Sequence, residues 1–314
     1  MWLRSAPFDL AFVLLPTLLT GLLAAVPPPG TDGGLPAFLL LVVVIDVAHV
    51  WSTLWRTWLD PEGRERFARL LGTVPLLVVS AAALVAALWP GRFWTVMAYV
   101  AAFHFVRQAA GIAMLYRKAS GQSLRVPGAR LEWWAVQCTC LATLAYWHVT
   151  ARPFAWFVPG DFLVLPPWIL PPVLLASGLV VGAHLWSRLR GPPNPGGDLW
   201  FLANAASWLG AVVFARSDLG FTLANVVGHG VPYLALVRIY SRRVPLALFL
   251  LAPVALALGE EALWDIFLWH EHLPLGVEGW VPVASAILAV PQLTHYVLDG
   301  YIWKERGPVA GYAA

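Results

Sequence analysis

Charged residues are scarce in this chain of 314 residues. Asp, Glu, Lys and Arg together account for 12% of the sequence, whereas soluble proteins carry about 25%. Hydrophobic residues make up 60%, and the mean hydropathy is +0.71. A water-soluble fold has too little interior to bury so much apolar surface. The composition therefore predicts a single integral membrane domain over residues 1–314, and we expect it in a bacterial-type inner or plasma membrane.

Nucleotide-binding motifs and a cysteine framework are also missing. Neither G-x-x-x-x-G-K-[ST] nor G-x-G-x-x-G occurs, which argues against ATP or dinucleotide binding in their usual form. The 2 cysteines, Cys138 and Cys140, point to different sides of a helix and cannot readily pair. The net charge of +3 requires no nucleic-acid partner, because cytoplasmic loops of membrane proteins are rich in Arg and Lys. Any electrons that a reaction needs must come from an external donor.

Long apolar runs are abundant. A helix needs about 20 apolar residues to cross a hydrocarbon core of roughly 30 Å. The runs that meet this requirement are Phe8–Val26, Leu35–Trp58, Leu70–Trp89, Phe93–Tyr116, Glu132–Thr150, Trp168–Leu189, Asp198–Arg216, Leu219–Tyr240, Val244–Trp264 and Val281–Trp303. The fold class predicted from them is all-α, a polytopic membrane bundle of about ten transmembrane helices.

Positive charge alternates between the predicted loops. One side carries Arg4, Arg64, Arg66, Arg69, Arg117, Lys118, Arg125, Arg130, Arg188, Arg190, Arg238, Arg242, Arg243, Lys304 and Arg306. The opposite side carries Arg92, Arg152 and Arg216. Because cytoplasmic loops hold the excess of Arg and Lys, both termini are predicted to be cytoplasmic, as an even number of spans requires.

Four histidines fall inside predicted spans that all run in the same direction. They are His49, His104, His229 and His295, in the second, fourth, eighth and tenth spans. At a rise of about 1.5 Å per residue, each lies roughly 15–21 Å below the outer end of its span. Ionisable residues at such depth are costly and mark functional sites. We therefore predict that the four imidazoles form one layer and bind a metal ion.

Each of these histidines has polar neighbours three or four positions away, on the same helical face. The neighbours are Asp46, Arg107, Gln108, Asn225, Gln292 and Asp299. Such spacing suits a residue that orients a ligating imidazole, or a carboxylate that shares the metal. The candidate catalytic residues are Asp46, Asp299, Arg107 and Tyr296. Asn204, at comparable depth on the seventh span, is a further candidate for the same polar cavity.

Structural explanations stand beside this prediction. A single histidine in a helical bundle more often bonds to a neighbouring helix than to a metal, and Arg56 and Arg107 are possible counter-ions for Asp46 and Asp299. His148 and His184 lie near span ends, where they are expected to reach the interface. The segment 270–272 contains two histidines around a glutamate and is interpreted as an exposed loop, with a peripheral metal site as the alternative.

Imidazole ligands suit iron, copper and zinc, and a set with accompanying carboxylates favours non-haem iron. A metal centre buried at bilayer depth favours an apolar substrate, such as a membrane lipid, an isoprenoid or a carotenoid, and dioxygen concentrates in the same phase. The predicted function is therefore a membrane-bound, metal-dependent oxidoreductase or oxygenase acting on a lipid-soluble substrate. Tyr296 or Tyr233 would donate hydrogen bonds near the reacting atoms.

Three short segments carry a family resemblance. His49 after an apolar helix, the pair His104–Phe105 and the polar segment around His229 resemble, in order and membrane setting, the Brp/Blh-like family of bacterial membrane β-carotene dioxygenases. The resemblance implies histidine-bound iron and oxidative cleavage of a carotenoid.

Two other function classes remain open. Paired histidines on facing helices can ligate haem, which would make the protein a b-type electron carrier. Intramembrane His, Asp and Arg can also form the relay of a proton-coupled transporter. A haem absorption band would identify the first class, and homologous halves would favour the second, but no convincing internal repeat relates residues 1–150 to residues 151–314.

Overall fold

The computed structural model describes residues 1–150, 160–269 and 280–304, and the elements within these ranges are helices and turns without a strand. The predicted all-α fold class is confirmed. The long helices are α1 (Ala6–Leu23), α2 (Gly34–Arg56), α3 (Ala68–Leu88), α4 (Pro90–Ala119), α5 (Pro127–Val149), α6 (Pro167–Arg190), α7 (Pro195–Phe214), α8 (Asp218–Tyr240), α9 (Leu246–Trp269) and α10 (Val281–Ile302). A short helix, Pro61–Arg66, lies between α2 and α3.

Among the described residues, nine helices are long and apolar enough to cross a membrane, and each coincides with a predicted span. The remaining predicted span, Glu132–Thr150, coincides with α5, which has 23 residues but is not one of the nine. Its polar side chains, among them Glu132, Gln137 and His148, lower its hydropathy below that of the other nine. The cytoplasmic placement of the termini stays a prediction.

Several helices contain a wide-turned π segment. These are Leu10–Leu14 in α1, Phe38–Val47 in α2, Leu209–Phe214 in α7 and Asp265–Trp269 in α9. In α2 the π segment is followed at once by the α-helical turn Ala48–Ser52, which carries His49. Because π turns are rare and cluster at functional sites, this irregularity draws attention to that histidine.

The chain divides into two compact units. The first contains residues 1–37 and 103–235, with a core formed by Ala24, Trp147, Val212, Phe221 and their neighbours. In this unit α1 and α7 pack backbone to backbone at Gly21 and Gly210, where a side chain on either glycine would overlap the opposite main chain. Small residues permit such close approach between membrane helices.

The second unit contains residues 38–102 and 236–304. Leu71, Val74 and Val78 of α3 pack against Leu298 and Ile302 of α10. Further along the same two helices, Ala82 and Ala86 pack near Ala286 and Ala289. These contacts fix α10 against α3 and thereby set the position of His295.

Candidate metal centre

His49 and His295 form a buried pair in the second unit. Each side chain is 1% exposed. Their ring centroids lie 5.0 Å apart, and the ring planes are inclined at 81°. At this angle the edge of one ring faces the plane of the other, so the two rings do not stack.

Thr53 sets the orientation of His295. Its hydroxyl oxygen lies 2.8 Å from Nδ1 of His295. When Nδ1–H donates to that oxygen, the neutral ring keeps its lone pair on Nε2, the form that binds a metal. The sequence analysis did not identify Thr53, although it lies four residues after His49 and therefore on the same helical face.

The two candidate carboxylates lie beside this pair. Oδ1 of Asp46 is 3.6 Å from Nδ1 of His49, within ion-pair distance, and the Asp46 side chain is 31% exposed. Asp299 is buried, one helical turn after His295, and accepts a hydrogen bond from Nε1 of Trp303. Each carboxylate is therefore one turn from a histidine on its own helix, as the spacing predicts.

His104 and His229 form the corresponding pair in the first unit. They are 3% and 6% exposed, their ring centroids lie 5.1 Å apart, and their planes are inclined at 85°. Phe105 packs against His229, and the centroids of the two rings lie 4.0 Å apart. The aromatic contact restricts rotation of the His229 ring.

Pro232 lies inside α8, three residues after His229. A proline has no N–H, so the carbonyl four residues earlier, at Gly228, loses its helical partner. The hydroxyl of Thr17 lies 3.5 Å from that oxygen. Gln108 donates from Nε2 to the carbonyl of His229 at 3.0 Å. Neighbouring side chains thus supply polar partners to the main chain near the proline, as membrane helices with internal proline require.

The four histidines named above form one buried group, as the sequence analysis predicted. Each offers one ring nitrogen, and these four nitrogens all lie within 4.8 Å of one another. A tetrahedral ion with metal–nitrogen bonds of about 2.0–2.1 Å holds its ligand nitrogens about 3.3 Å apart, so the four imidazoles would draw closer together to share one ion. The group contains no carboxylate.

No family model, curated protein or solved structure matches this chain. The site must therefore be interpreted from its own geometry. The resemblance to the Brp/Blh-like family stays a prediction.

Arg107 and Arg56 both lie beside aromatic rings, and the roles considered for them stay predictions. The Arg107 side chain is exposed, and its guanidinium lies 4.7 Å from the ring centroid of Trp133. Arg56 lies 3.6 Å from a carboxylate oxygen of Asp60 and 4.4 Å from the ring centroid of Tyr240. A guanidinium at this distance from an indole ring gains a cation–π contact.

The remaining candidates occupy varied surroundings. Tyr296 is half-buried, with its ring centroid 5.6 Å from that of His295. His184, expected at the interface, is instead buried, with its ring centroid 5.0 Å from that of Phe201. Nδ1 of the half-buried His148 lies 2.6 Å from the carbonyl oxygen of Leu144. The segment 270–272, interpreted as a loop, lies outside the described residues.

A small polar cavity adjoins His229 in the first unit. Gln108, Asn204, Ser207 and Asn225 line it together with that histidine, and its volume is about 20 Å³. This is enough for about one water molecule, and the lining offers several hydrogen-bonding partners. Asn204 and Asn225, both identified from the sequence, therefore contribute to a polar chamber beside one member of the histidine group.

Proposed function

We propose that the protein is an integral-membrane, metal-dependent oxidoreductase or oxygenase that acts on a lipid-soluble substrate at a non-haem centre. The observation that carries the proposal is the approach of four buried ring nitrogens to within 4.8 Å of one another. A neutral imidazole has one nitrogen lone pair, so four imidazoles this close together can ligate one shared cation. Iron is the proposed metal, with copper and zinc as the alternatives compatible with imidazole ligands.

Electrostatics favour a role for the two carboxylates. Neutral imidazoles do not reduce the charge of a divalent ion, and an uncompensated charge inside a membrane is costly. Asp46 lies 3.6 Å from His49, and Asp299 is buried one turn from His295. Two negative charges at these positions would balance a divalent metal while the four imidazoles hold it.

The bound metal would activate dioxygen, and the protein would supply the substrate from the lipid phase. Two reaction types fit such a centre. Hydroxylation of a C–H bond consumes dioxygen, two electrons and two protons and yields an alcohol and water, so it needs an external electron donor. Oxidative cleavage of a C=C bond places both oxygen atoms in the products and needs no added electrons.

The packing of the rings disfavours a haem protein. A haem with two axial histidines places a flat macrocycle around the iron, between the two imidazoles. The rings of His49 and His295 are in edge-to-face contact, as are those of His104 and His229. No macrocycle fits between the members of either pair. A transporter that carries a metal ion remains the second candidate, favoured by the polar cavity beside His229.

Metal analysis and an absorption spectrum of the detergent-purified protein test the proposal together. We expect about one iron per chain and no Soret band, and oxygen consumption that depends on an added lipid extract. A Soret band would establish the haem carrier instead. A protein that takes up no metal would overturn the proposal. Metal binding without oxygen consumption, combined with metal uptake by reconstituted vesicles, would support the transporter.

A further inference from the structure

The second unit contains a buried carboxylate that has no part in the metal centre described above. Glu260 lies on α9 and is 4% exposed. Its Oε2 accepts a hydrogen bond of 2.7 Å from Nε1 of Trp51 on α2. Its Oε1 accepts one of 3.2 Å from Nε1 of Trp264, on α9 itself. One of the two bonds therefore joins two helices, whereas the other stays within a single helix.

The bond between Trp51 and Glu260 completes a packed contact between α2 and α9. Val47 and Ala48 of α2 form one apolar cluster with Ala257 of α9, and Trp51 packs against that cluster. Ala48 and Trp51 are three residues apart, as are Ala257 and Glu260, so each pair lies on one helical face. The two faces meet, and the indole–carboxylate bond holds them together.

Trp51 and His49 point to nearly opposite sides of α2. They are two residues apart, which corresponds to about 200° around a helix of 3.6 residues per turn. Thr53 is four residues after His49 and therefore on the same side as that histidine. The Thr53 hydroxyl contacts His295 of α10. With Trp51 held against α9, His49 and Thr53 both turn towards α10.

Apolar packing alone does not define the rotation of this part of α2. The π segment Phe38–Val47 contains one polar residue, Asp46. A segment that is apolar almost all round can turn several of its faces to lipid or to protein. Polar side chains that bond across helices then select one rotation. A rotation that separated Trp51 from Glu260 would leave a carboxylate oxygen without this partner inside the membrane, which is costly.

We propose that Glu260 is a positioning residue of the metal centre. Through its bond to Trp51 it fixes the rotation of the helical turn Ala48–Ser52 and so directs His49 towards His295. This inference rests on the proposed function and deepens it, because it concerns how a ligand of that centre is held. Glu260 acts through the hydrogen bond to Trp51 and not through its negative charge.

Two matched variants of tryptophan test the inference with Co²⁺, whose visible absorption depends on the geometry of its ligands. Trp51→Phe removes the N–H that joins α2 to α9. It should weaken Co²⁺ binding by the detergent-purified protein about three- to fifteenfold, the effect of one side-chain hydrogen bond between membrane helices. Its Co²⁺ absorption bands should also shift, because His49 is no longer held in place. Trp264→Phe removes a bond to the same carboxylate within α9 and should leave the affinity and the spectrum unchanged. Equal affinities and spectra in the two variants would overturn the inference.

A rescue experiment at Glu260 separates the hydrogen bond from the charge. Glu260→Leu removes the acceptor and should weaken Co²⁺ binding as much as Trp51→Phe. Glu260→Gln combined with Trp264→Phe removes the charge, keeps one acceptor oxygen for Trp51 and removes the indole that needs a second acceptor. This double variant should bind Co²⁺ nearly as tightly as the wild-type protein. An affinity as low as that of Glu260→Leu would show that the charge matters, which would contradict the inference.

Helix content and oxygen consumption are measured on the same samples, so that the two proposals fail separately. Circular dichroism should show equal helix content in all variants; where Trp51→Phe loses helix, the comparison of the Glu260 variants decides. If the iron-loaded wild-type protein consumes oxygen but all variants bind Co²⁺ equally, the positioning role falls and the proposed function stands. If the losses and the rescue occur but the wild-type protein consumes no oxygen, the reverse holds. A wild-type protein that binds no Co²⁺ would overturn the positioning role, and its iron content would decide the proposed function.

Discussion

Thr53 and His295 are joined across two helices by a contact of 2.8 Å between the threonine hydroxyl and Nδ1 of the imidazole. The contact fixes which nitrogen of His295 can act as a ligand. Thr53 would therefore influence the affinity of the histidine group for a metal ion.

We predict that Thr53→Val lowers metal affinity about 10–100-fold, because the ring of His295 loses the partner that fixes its tautomer and orientation. Thr53→Ser keeps the hydroxyl and should bind nearly as tightly as the wild-type protein. Competition with a chromophoric chelator gives the affinities. Indistinguishable affinities in the valine and serine variants would mean that the contact does not act on the metal.

Replacement of His104 or His229 by Ala should abolish stoichiometric metal binding while the helix content measured by circular dichroism is retained. His184→Ala is the matched control, because His184 is also buried but packs against Phe201 and is not a member of the histidine group. It should retain the metal. Full metal occupancy in both of the first two variants would refute the site.

Asp46→Asn should weaken metal binding without abolishing it, because the variant keeps the shape beside His49 and removes the negative charge. An effect of about tenfold corresponds to about 1.4 kcal/mol. Arg107→Gln serves as the comparison and should leave the affinity unchanged, since that guanidinium lies over Trp133. If Arg107→Gln has the larger effect, the assignment of roles from the structure is incorrect.

Metal should also stabilise the folded protein. A ligand that binds only the native state raises stability by about 2.7 kcal/mol when its free concentration is 100 times Kd. Iron added to chelator-treated wild-type protein should therefore raise its thermal midpoint, and His229→Ala should show no such rise. An equal rise in both proteins would indicate binding elsewhere.

The contact between α1 and α7 gives a test of packing that is independent of the metal. A Cβ at Gly210 would overlap the main chain at Gly21, so Gly210→Ala should destabilise the protein by about 1–3 kcal/mol. Gly178→Ala on α6 meets open space and should not destabilise it. Thermal unfolding of the two variants in detergent compares them directly, and equal midpoints would argue against the close approach.

Composition and run length were enough to predict the helical membrane fold, because the requirement for about 20 apolar residues per span leaves few alternatives. The histidine group was predicted by the same reasoning, since four side chains at equal depth on spans predicted to run in the same direction are expected in one layer. Depth along a helix is readable from residue number. The direction in which a side chain points around the helix axis, and so the neighbouring helix that it contacts, is harder to predict from the sequence.

His184 illustrates the difficulty. Its position near a span end suggested that it reaches the interface, yet it is buried against Phe201 of a neighbouring helix. This outcome depends on which helix lies alongside, and that information is absent from the local pattern. Thr53 was missed for a different reason, because a threonine in an apolar helix usually bonds to its own backbone.

The π segment of α2 bears on how the chain tolerates changes in its length. A wide turn holds an extra residue compared with an α turn, so a one-residue deletion within Phe38–Val47 can be absorbed by conversion of a wide turn into an ordinary one, leaving the direction of His49 almost unchanged. A deletion between His49 and Thr53 has no such reserve. It would rotate these two side chains relative to each other by about 100°, one residue's share of a 3.6-residue turn, so that His49 and Thr53 would no longer both face His295. Natural variants of this helix should therefore differ in length before His49 and keep a fixed count of residues after it.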